Sequence, residues 1–171
     1  MNILITGAIG VGKSTLIKKL IADTKAPMYG FFTEKMKADE SGNAKVYIRG
    51  IRDAAIHREE DVVGICADNG AKGRAEVFDR RGVQLISNIP NDAIIIMDEL
   101  GFLESAATQF CNTVIRRLNE PRLVIAAVKQ TNTAFLEKVR MQPNSNVYTM
   151  TVDNRDDLYE QITTDLMNLN R

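Results

Sequence analysis

The chain has 171 residues, with 22 Lys and Arg against 22 Asp and Glu, so its formal net charge is zero when the one His is neutral. This length suits one domain with a buried core, which we expect to span residues 1–171. Balanced charge argues against a protein that coats nucleic acid through excess basic side chains, and 44% hydrophobic residues is typical of a soluble globule.

Short apolar runs alternate with longer segments of helical period, which predicts a mostly parallel sheet with helices on both faces. The predicted strands are residues 2–6, 28–33, 93–97, 122–128 and 146–151. The predicted helices are residues 12–24, 75–87, 105–119 and 156–169. After the second strand, residues 35–71 are less regular, and an alternating pattern at 45–49 predicts a small β-rich insertion. The fold class expected is therefore α/β.

Other functional classes lack the residues they need. Cys66 and Cys111 lie far apart in the sequence with no metal-ligand spacing, so neither a zinc site nor a disulfide framework is expected. His57 is the one His, and nothing around it suggests the base of a serine or cysteine hydrolase. The first apolar run is too short for a signal peptide or a membrane span, so we expect a cytoplasmic protein with no membrane partner.

The strongest motif follows the first predicted strand. Residues 7–14 fit G-x-x-x-x-G-K-[ST], the phosphate-binding loop or Walker A motif, with an apolar strand before it and a helical segment after it. Glycines allow backbone N–H groups to curl around a phosphate, and the following helix adds its positive end. The predicted nucleotide contacts here are Gly7, Ala8, Ile9, Gly10, Val11, Gly12, Lys13, Ser14 and Thr15.

Two side chains of this loop have chemical roles in the prediction. We expect Lys13 to reach the β- and γ-phosphates and Ser14 to bind Mg²⁺ through its hydroxyl group. A carboxylate on the metal side is also needed. Asp98 emerges after the apolar run 94–97, in the Walker B position, and Glu99 follows where a general base could orient the attacking water. An adjacent acid pair could instead belong to the start of a helix.

Asn154 and Arg155 come directly after the last predicted strand. In P-loop enzymes, the loop after a late strand often flanks the base of the nucleotide. Both are candidate nucleotide contacts, Arg155 by stacking. Asn154 could also cap the last helix, and the two roles are compatible. An Arg that stabilises the transition state is expected as well, and spacing leaves Arg74, Arg140 and Arg155 open.

Several motifs together resemble the small P-loop nucleoside-triphosphatases first known from hyperthermophiles, the family of the human cancer-related nucleoside triphosphatase. The resemblance rests on residues 7–14, 30–34, 63–64, 98–101 with 104 and 105, and 154–156. It implies a P-loop fold with a catalytic Glu and slow, Mg²⁺-dependent hydrolysis of several nucleoside triphosphates. This chain departs from the family at Phe102 and Leu103, where a basic residue and Met are usual, and in lacking the family's Arg and Gly-Phe pair after the second strand.

Three other functions share these motifs. A small-molecule kinase would use the same loop and metal site with another acceptor, and a nucleotide-switched module would bind ATP with negligible turnover. A GTPase is suggested by D-x-x-G at residues 98–101 and by N-R-D-D at 154–157, which resembles the guanine-reading N-K-x-D. A regulatory GTPase needs a further strand and loop after this second motif, whereas one predicted helix follows it here. We favour a monomeric, Mg²⁺-dependent hydrolase of ATP, GTP and other nucleoside triphosphates.

Overall fold

One sheet of eight strands runs through the molecule. The computed structural model describes residues 1–169, with the surroundings of the side chains given through residue 167; Asn170 and Arg171 lie outside the described residues. The strand order is β5-β4-β3-β2-β6-β7-β1-β8. The strands are β1 (Asn2–Gly7), β2 (Met28–Lys35), β3 (Ala44–Gly50), β4 (Val62–Ala67), β5 (Gly70–Gly73), β6 (Ile94–Leu100), β7 (Val124–Val128) and β8 (Ser145–Met150).

The five strands predicted from apolar runs form the parallel half of the sheet. β2, β6, β7, β1 and β8 are neighbours in that order and all run in the same direction. Their ends differ from the prediction by at most three residues, because sequence alone does not show where hydrogen bonding to a neighbour stops. Burial on both faces explains the continuous apolar runs of β1, β6 and β7. The predicted α/β fold is confirmed.

The β-rich insertion continues the same sheet with antiparallel pairing. β3 pairs with β2, β4 with β3, and β5 with β4. The strand predicted at residues 45–49 is β3, whereas β4 and β5 were not predicted. β5 has the sequence Gly70-Ala-Lys-Gly73, which carries no alternating pattern and forms a strand through its pairing with β4.

Helices cover both faces and close two hydrophobic cores. The helices are α1 (Lys13–Ala22), α2 (Ala75–Val77), α3 (Val83–Leu85), α4 (Thr108–Leu118), α5 (Ala134–Arg140) and α6 (Arg155–Leu169). One core contains Phe31, Phe78 and Phe110. The other packs Ile3 and Ile17 with residues of α6. No helix within residues 1–169 has the length and apolar character needed to cross a membrane.

Two helical predictions need correction. The helix predicted over residues 75–87 is three pieces, α2 and α3 joined by a π-helical segment at Phe78–Gly82. Helix α5 was not predicted at all. It begins after Thr133, whose hydroxyl oxygen caps the helix by accepting a hydrogen bond from the N–H of Leu136 at 3.1 Å. The helix has seven residues, too few to show a clear helical period in the sequence.

The parallel pairing brings chemically active residues to one edge of the sheet. Because the carboxyl ends of parallel strands meet at the same edge, the segments after β1, β7 and β8 lie beside the ends of β2 and β6. Gly30 allows β2 to approach β6 closely: its φ is +118°, and a Cβ there would lie 1.9 Å from the carbonyl oxygen of Ile96. This edge carries the candidate site.

Candidate active site

The phosphate loop joins β1 to α1 as predicted from its sequence. Gly10 and Gly12 have φ angles of +76° and +111°, a left-handed conformation that favours glycine. Ile9 is 91% exposed at the tip of the loop, and α1 begins at Lys13. The first N–H groups of the helix and its positive dipole end therefore point toward the space that the loop surrounds.

Lys13 is held inside the loop. The Lys13 side chain is 6% exposed, and its ammonium group donates hydrogen bonds to the carbonyl oxygens of Gly7 at 3.0 Å and Ala8 at 3.1 Å. It also lies 3.5 Å from a carboxylate oxygen of Glu99. Lys13, the predicted phosphate contact, therefore lies beside Glu99, the predicted general base that orients water.

Ser14 and Asp98 meet across the space between α1 and β6. The Ser14 hydroxyl donates to Oδ1 of Asp98 at 3.0 Å. Burial raises the pKa of Asp98 to about 6, while the hydrogen bond from Ser14 acts to lower it. Two hard oxygen donors this close fit a Mg²⁺ ion that takes its other ligands from phosphate and water. Among residues 1–169, no group of three or more His, Cys, Asp or Glu could hold a metal ion by itself.

Glu99 lies between two lysines. Its Oε2 faces Lys13, and its Oε1 is 3.3 Å from the ammonium group of Lys129, which follows β7. The Thr33 hydroxyl accepts a hydrogen bond from the N–H of Glu99 at 3.1 Å and donates to the carbonyl of Asp98 at 3.4 Å. Thr33 of β2 thus fixes the backbone from which both acidic side chains project.

These groups line one cleft of about 510 Å³. Its walls come from the phosphate loop, the start of α1, and the ends of β2, β6 and β7. The lining residues include Gly10, Gly12, Lys13, Ser14, Thr15, Thr33, Asp98, Glu99, Phe102 and Lys129. The cleft can accommodate a triphosphate with cations, a carboxylate and a hydroxyl group around its terminal phosphate.

Sequence reasoning gave no role to Lys129 or Thr33. Lys129 directly follows the predicted strand 122–128, and this position at the carboxyl end of a strand was an available signal. What the sequence does not reveal is that β7 pairs with β6 and β1, which places Lys129 beside Glu99. Thr33 likewise depends on the pairing of β2 with β6.

Glu104 is a second acid that sequence reasoning left without a role. It is 2% exposed, and its Oε1 accepts a hydrogen bond from the N–H of Gly101, closing the turn after β6. The pKa of Glu104 is raised to about 7, chiefly by burial and to a smaller extent by nearby Glu99, against the lowering effects of the Gly101 hydrogen bond and Lys129. A proton on this side chain therefore favours the folded state.

We expect Glu104→Gln to remove a pH dependence of stability. In the folded protein Glu104 stays protonated up to about pH 7, whereas the unfolded chain ionises near 4.5, so the folded state binds more protons between these values. Stability then falls as pH rises through this interval, by up to about 3 kcal/mol. Urea unfolding at pH 5 and pH 8 measures the free energy of unfolding. Relative to the wild type, the variant should be more stable at pH 8 than it is at pH 5. Parallel pH profiles would contradict this assignment.

Arg155 and Asn154 occupy different surroundings. Arg155 lines a small pocket of about 170 Å³ with Gly12, Thr15 and Tyr159, beside the phosphate loop. Both polar atoms of the Asn154 amide bond to backbone: Oδ1 accepts from the N–H of Thr151 at 2.8 Å, and Nδ2 donates to the carbonyl of Thr149. Asn154 thus holds the turn that presents Arg155.

The other two arginines considered for the transition state have partners elsewhere. Arg74 donates to Glu76 at 3.1 Å on an exposed surface. Arg140 donates to the backbone carbonyls of Lys129 at 2.6 Å and Thr131 at 2.9 Å, so it braces the segment after β7.

Known proteins similar to this chain are nucleoside-triphosphatases. The family model described as NTPase matches residues 2–163. A nucleoside-triphosphatase THEP1 of Methanocaldococcus jannaschii is 31% identical over 171 residues, covering 95% of each chain.

Solved structures share the fold. The crystal structure of THEP1 from Aquifex aeolicus superimposes with a TM-score of 0.69 at 23% identity, covering 95% of this chain and 96% of that one. The solution structure of a human cancer-related nucleoside triphosphatase also gives 0.69, at 21% identity, covering 98% and 97%.

Proposed function

The chain belongs to the NTPase family, whose model matches residues 2–163, and from this premise we propose that it hydrolyses nucleoside 5′-triphosphates, ATP among them, to diphosphate and phosphate. The family resemblance inferred from the sequence is thereby confirmed. One observation carries the proposal: a phosphate loop and the carboxylate of Glu99 share a cleft, with Lys13 only 3.5 Å from that carboxylate.

Binding of the triphosphate rests on the loop and the start of α1. The backbone N–H groups of residues 8–15 surround the β-phosphate, with the helix dipole adding to the attraction. Lys13 exchanges its hydrogen bonds to Gly7 and Ala8 for bonds to the β- and γ-phosphate oxygens, where it neutralises developing charge.

Mg²⁺ is the cofactor we propose, and the Ser14 hydroxyl and the Asp98 carboxylate would hold it. The ion would supply positive charge that offsets the negative charge of the phosphate oxygens. The 3.0 Å contact between Ser14 and Asp98 supports this assignment, because both are hard oxygen donors in one place.

Glu99 is the proposed general base. Its carboxylate accepts a hydrogen bond from a water molecule, orients that water in line with the γ-phosphate and takes its proton as the new P–O bond forms. The bond from the γ-phosphorus to the bridging oxygen breaks, and the diphosphate leaves. Thr33 supports this geometry by fixing the backbone N–H of Glu99.

The base of the nucleotide is proposed to lie against Arg155. This guanidinium lines the pocket beside Gly12, and its planar face can stack on any base. We expect Arg155→Ala to raise KM about tenfold for all four nucleoside triphosphates with little change in kcat, because stacking contributes about 1 kcal/mol or more. Steady-state kinetics with each nucleotide checks this. A loss confined to one nucleotide would instead indicate base-specific recognition.

Phosphate release tests the proposed function. The pure protein is incubated with Mg²⁺ and each of ATP, GTP, CTP and UTP without any acceptor, and free phosphate and nucleotide binding are measured together. We expect release from several nucleotides and its loss with excess EDTA. Binding with no release would overturn hydrolysis in favour of a kinase or a nucleotide-switched module.

A further inference from the structure

We propose that Lys129 is a catalytic residue that donates to the γ-phosphate in the transition state, a role the sequence led us to seek among arginines. The inference rests on the proposed hydrolysis and adds a residue to that site. It comes from the ammonium group of Lys129, which lies 3.3 Å from Oε1 of Glu99 and lines the same cleft as the phosphate loop.

The backbone places Lys129 firmly. It follows directly after β7, the strand between β6, which carries Glu99, and β1, which leads into the phosphate loop. Its N–H donates to the carbonyl of Leu100 at 2.9 Å. Its own carbonyl accepts from Arg140 at 2.6 Å. Both polar backbone groups of this residue are therefore engaged, which limits where the side chain can reach.

The side chain is directed into the cleft. The ammonium group lies 4.9 Å from the centre of the Phe102 ring, an arrangement in which the ring face attracts a cation. The Lys129 side chain is 25% exposed, so the charge is partly shielded from water. One face of the ammonium is thus occupied by Phe102, and the other is available to Glu99 and to a phosphate.

The local charge balance favours an incoming anion. Lys13 and Lys129 both approach the single carboxylate of Glu99, at 3.5 and 3.3 Å. The whole cleft lining holds three cations, Lys13, Lys35 and Lys129, against two carboxylates, Asp98 and Glu99, so one positive charge is left facing the cleft. The γ-phosphoryl group carries most of its charge on its equatorial oxygens during transfer, and a second cation stabilises that charge where it develops.

The same contacts affect the availability of Glu99. Lys13 and Lys129 contact its two carboxylate oxygens at 3.5 and 3.3 Å, so these oxygens are less open to a water molecule. A bound γ-phosphate competes for the two ammonium groups and leaves the carboxylate free to accept a hydrogen bond from water. The proposed general base thus becomes available when the substrate is present.

Three variants test the proposal: Lys129→Met, which keeps length without charge, Lys129→Arg, which keeps charge, and Lys45→Met as the control. Lys45 also pairs with a glutamate, Glu59 at 2.7 Å, but it does not line the cleft. We expect Lys129→Met to lower kcat about 100-fold with ADP affinity unchanged, as expected for a group that acts on the transition state. Lys129→Arg should restore part of kcat, and Lys45→Met should keep it within about threefold.

Affinity for ADP with aluminium fluoride, a mimic of the transferring phosphoryl group, separates catalysis from a structural role. Lys129→Met should weaken binding of this complex by about the same factor as kcat while ADP alone binds as before. Equal loss for ADP and for the mimic, or an unchanged kcat, would overturn the proposal. Phosphate release by the wild type reports on the proposed function separately, since its absence would refute hydrolysis whatever Lys129 does.

Discussion

Glu99→Gln is expected to retain nucleotide binding and to lose turnover by about 1000-fold. The amide has nearly the size of the carboxylate and keeps an oxygen that can hold water, but it cannot take the proton. Loss of the negative charge also weakens the contacts of Lys13 and Lys129 with this side chain, which are 3.5 and 3.3 Å long in the wild type. The affinity for ATP should therefore be equal or higher. Single-turnover phosphate release and titration with a fluorescent ATP analogue measure the two effects.

Glu34→Gln is the matched control for this variant. Glu34 lies on β2, 3.0 Å from His57, and does not line the cleft. It should release phosphate at the rate of the wild type. If Glu99→Gln also released phosphate at the wild-type rate, the assignment of Glu99 as the base would be wrong.

Lys13→Ala is expected to abolish nucleotide binding. Hydrogen bonds to charged groups contribute about 1.5–3 kcal/mol each, so the loss of two phosphate contacts corresponds to about 100-fold or more in affinity. The substitution also leaves the carbonyl oxygens of Gly7 and Ala8 without the donor that contacts them at 3.0 and 3.1 Å. The effect should therefore appear in Kd as well as in kcat.

Isothermal titration with ATP and Mg²⁺ checks this expectation. Lys25→Ala, at an exposed position after α1, is the control and should bind like the wild type. A thermal unfolding curve establishes that the Lys13 variant is folded at the temperature of the titration. Binding within threefold of the wild type by a folded Lys13→Ala would contradict the role given to this lysine.

The centre of the parallel half was predictable because β1, β6 and β7 are buried on both faces. Residues 94–97 form an uninterrupted apolar run, so the strand and the position of Asp98 at its end follow from the sequence. The phosphate loop was equally clear, since its spacing has a local physical cause. The antiparallel strands were harder: β5 pairs through its backbone and has no apolar face of its own.

The residues that sequence reasoning missed depend on which strands are neighbours. Lys129 contacts Glu99 because β7 lies beside β6, and Thr33 reaches the backbone of Glu99 because β2 lies on the other side. Glu104 closes a turn with Gly101, three residues away, but its burial depends on packing that no local pattern encodes. Strand order is set by the whole chain, so these contacts could not be read from motif spacing.

The source of the oxygen in the released phosphate tests the central claim most directly. Hydrolysis of ATP by this protein in water enriched in ¹⁸O, followed by mass spectrometry of both products, shows which phosphorus the water attacks. We expect one ¹⁸O atom in the inorganic phosphate and none in ADP, because Glu99 directs water to the γ-phosphorus. Label in ADP, or phosphate released without label, would contradict the account.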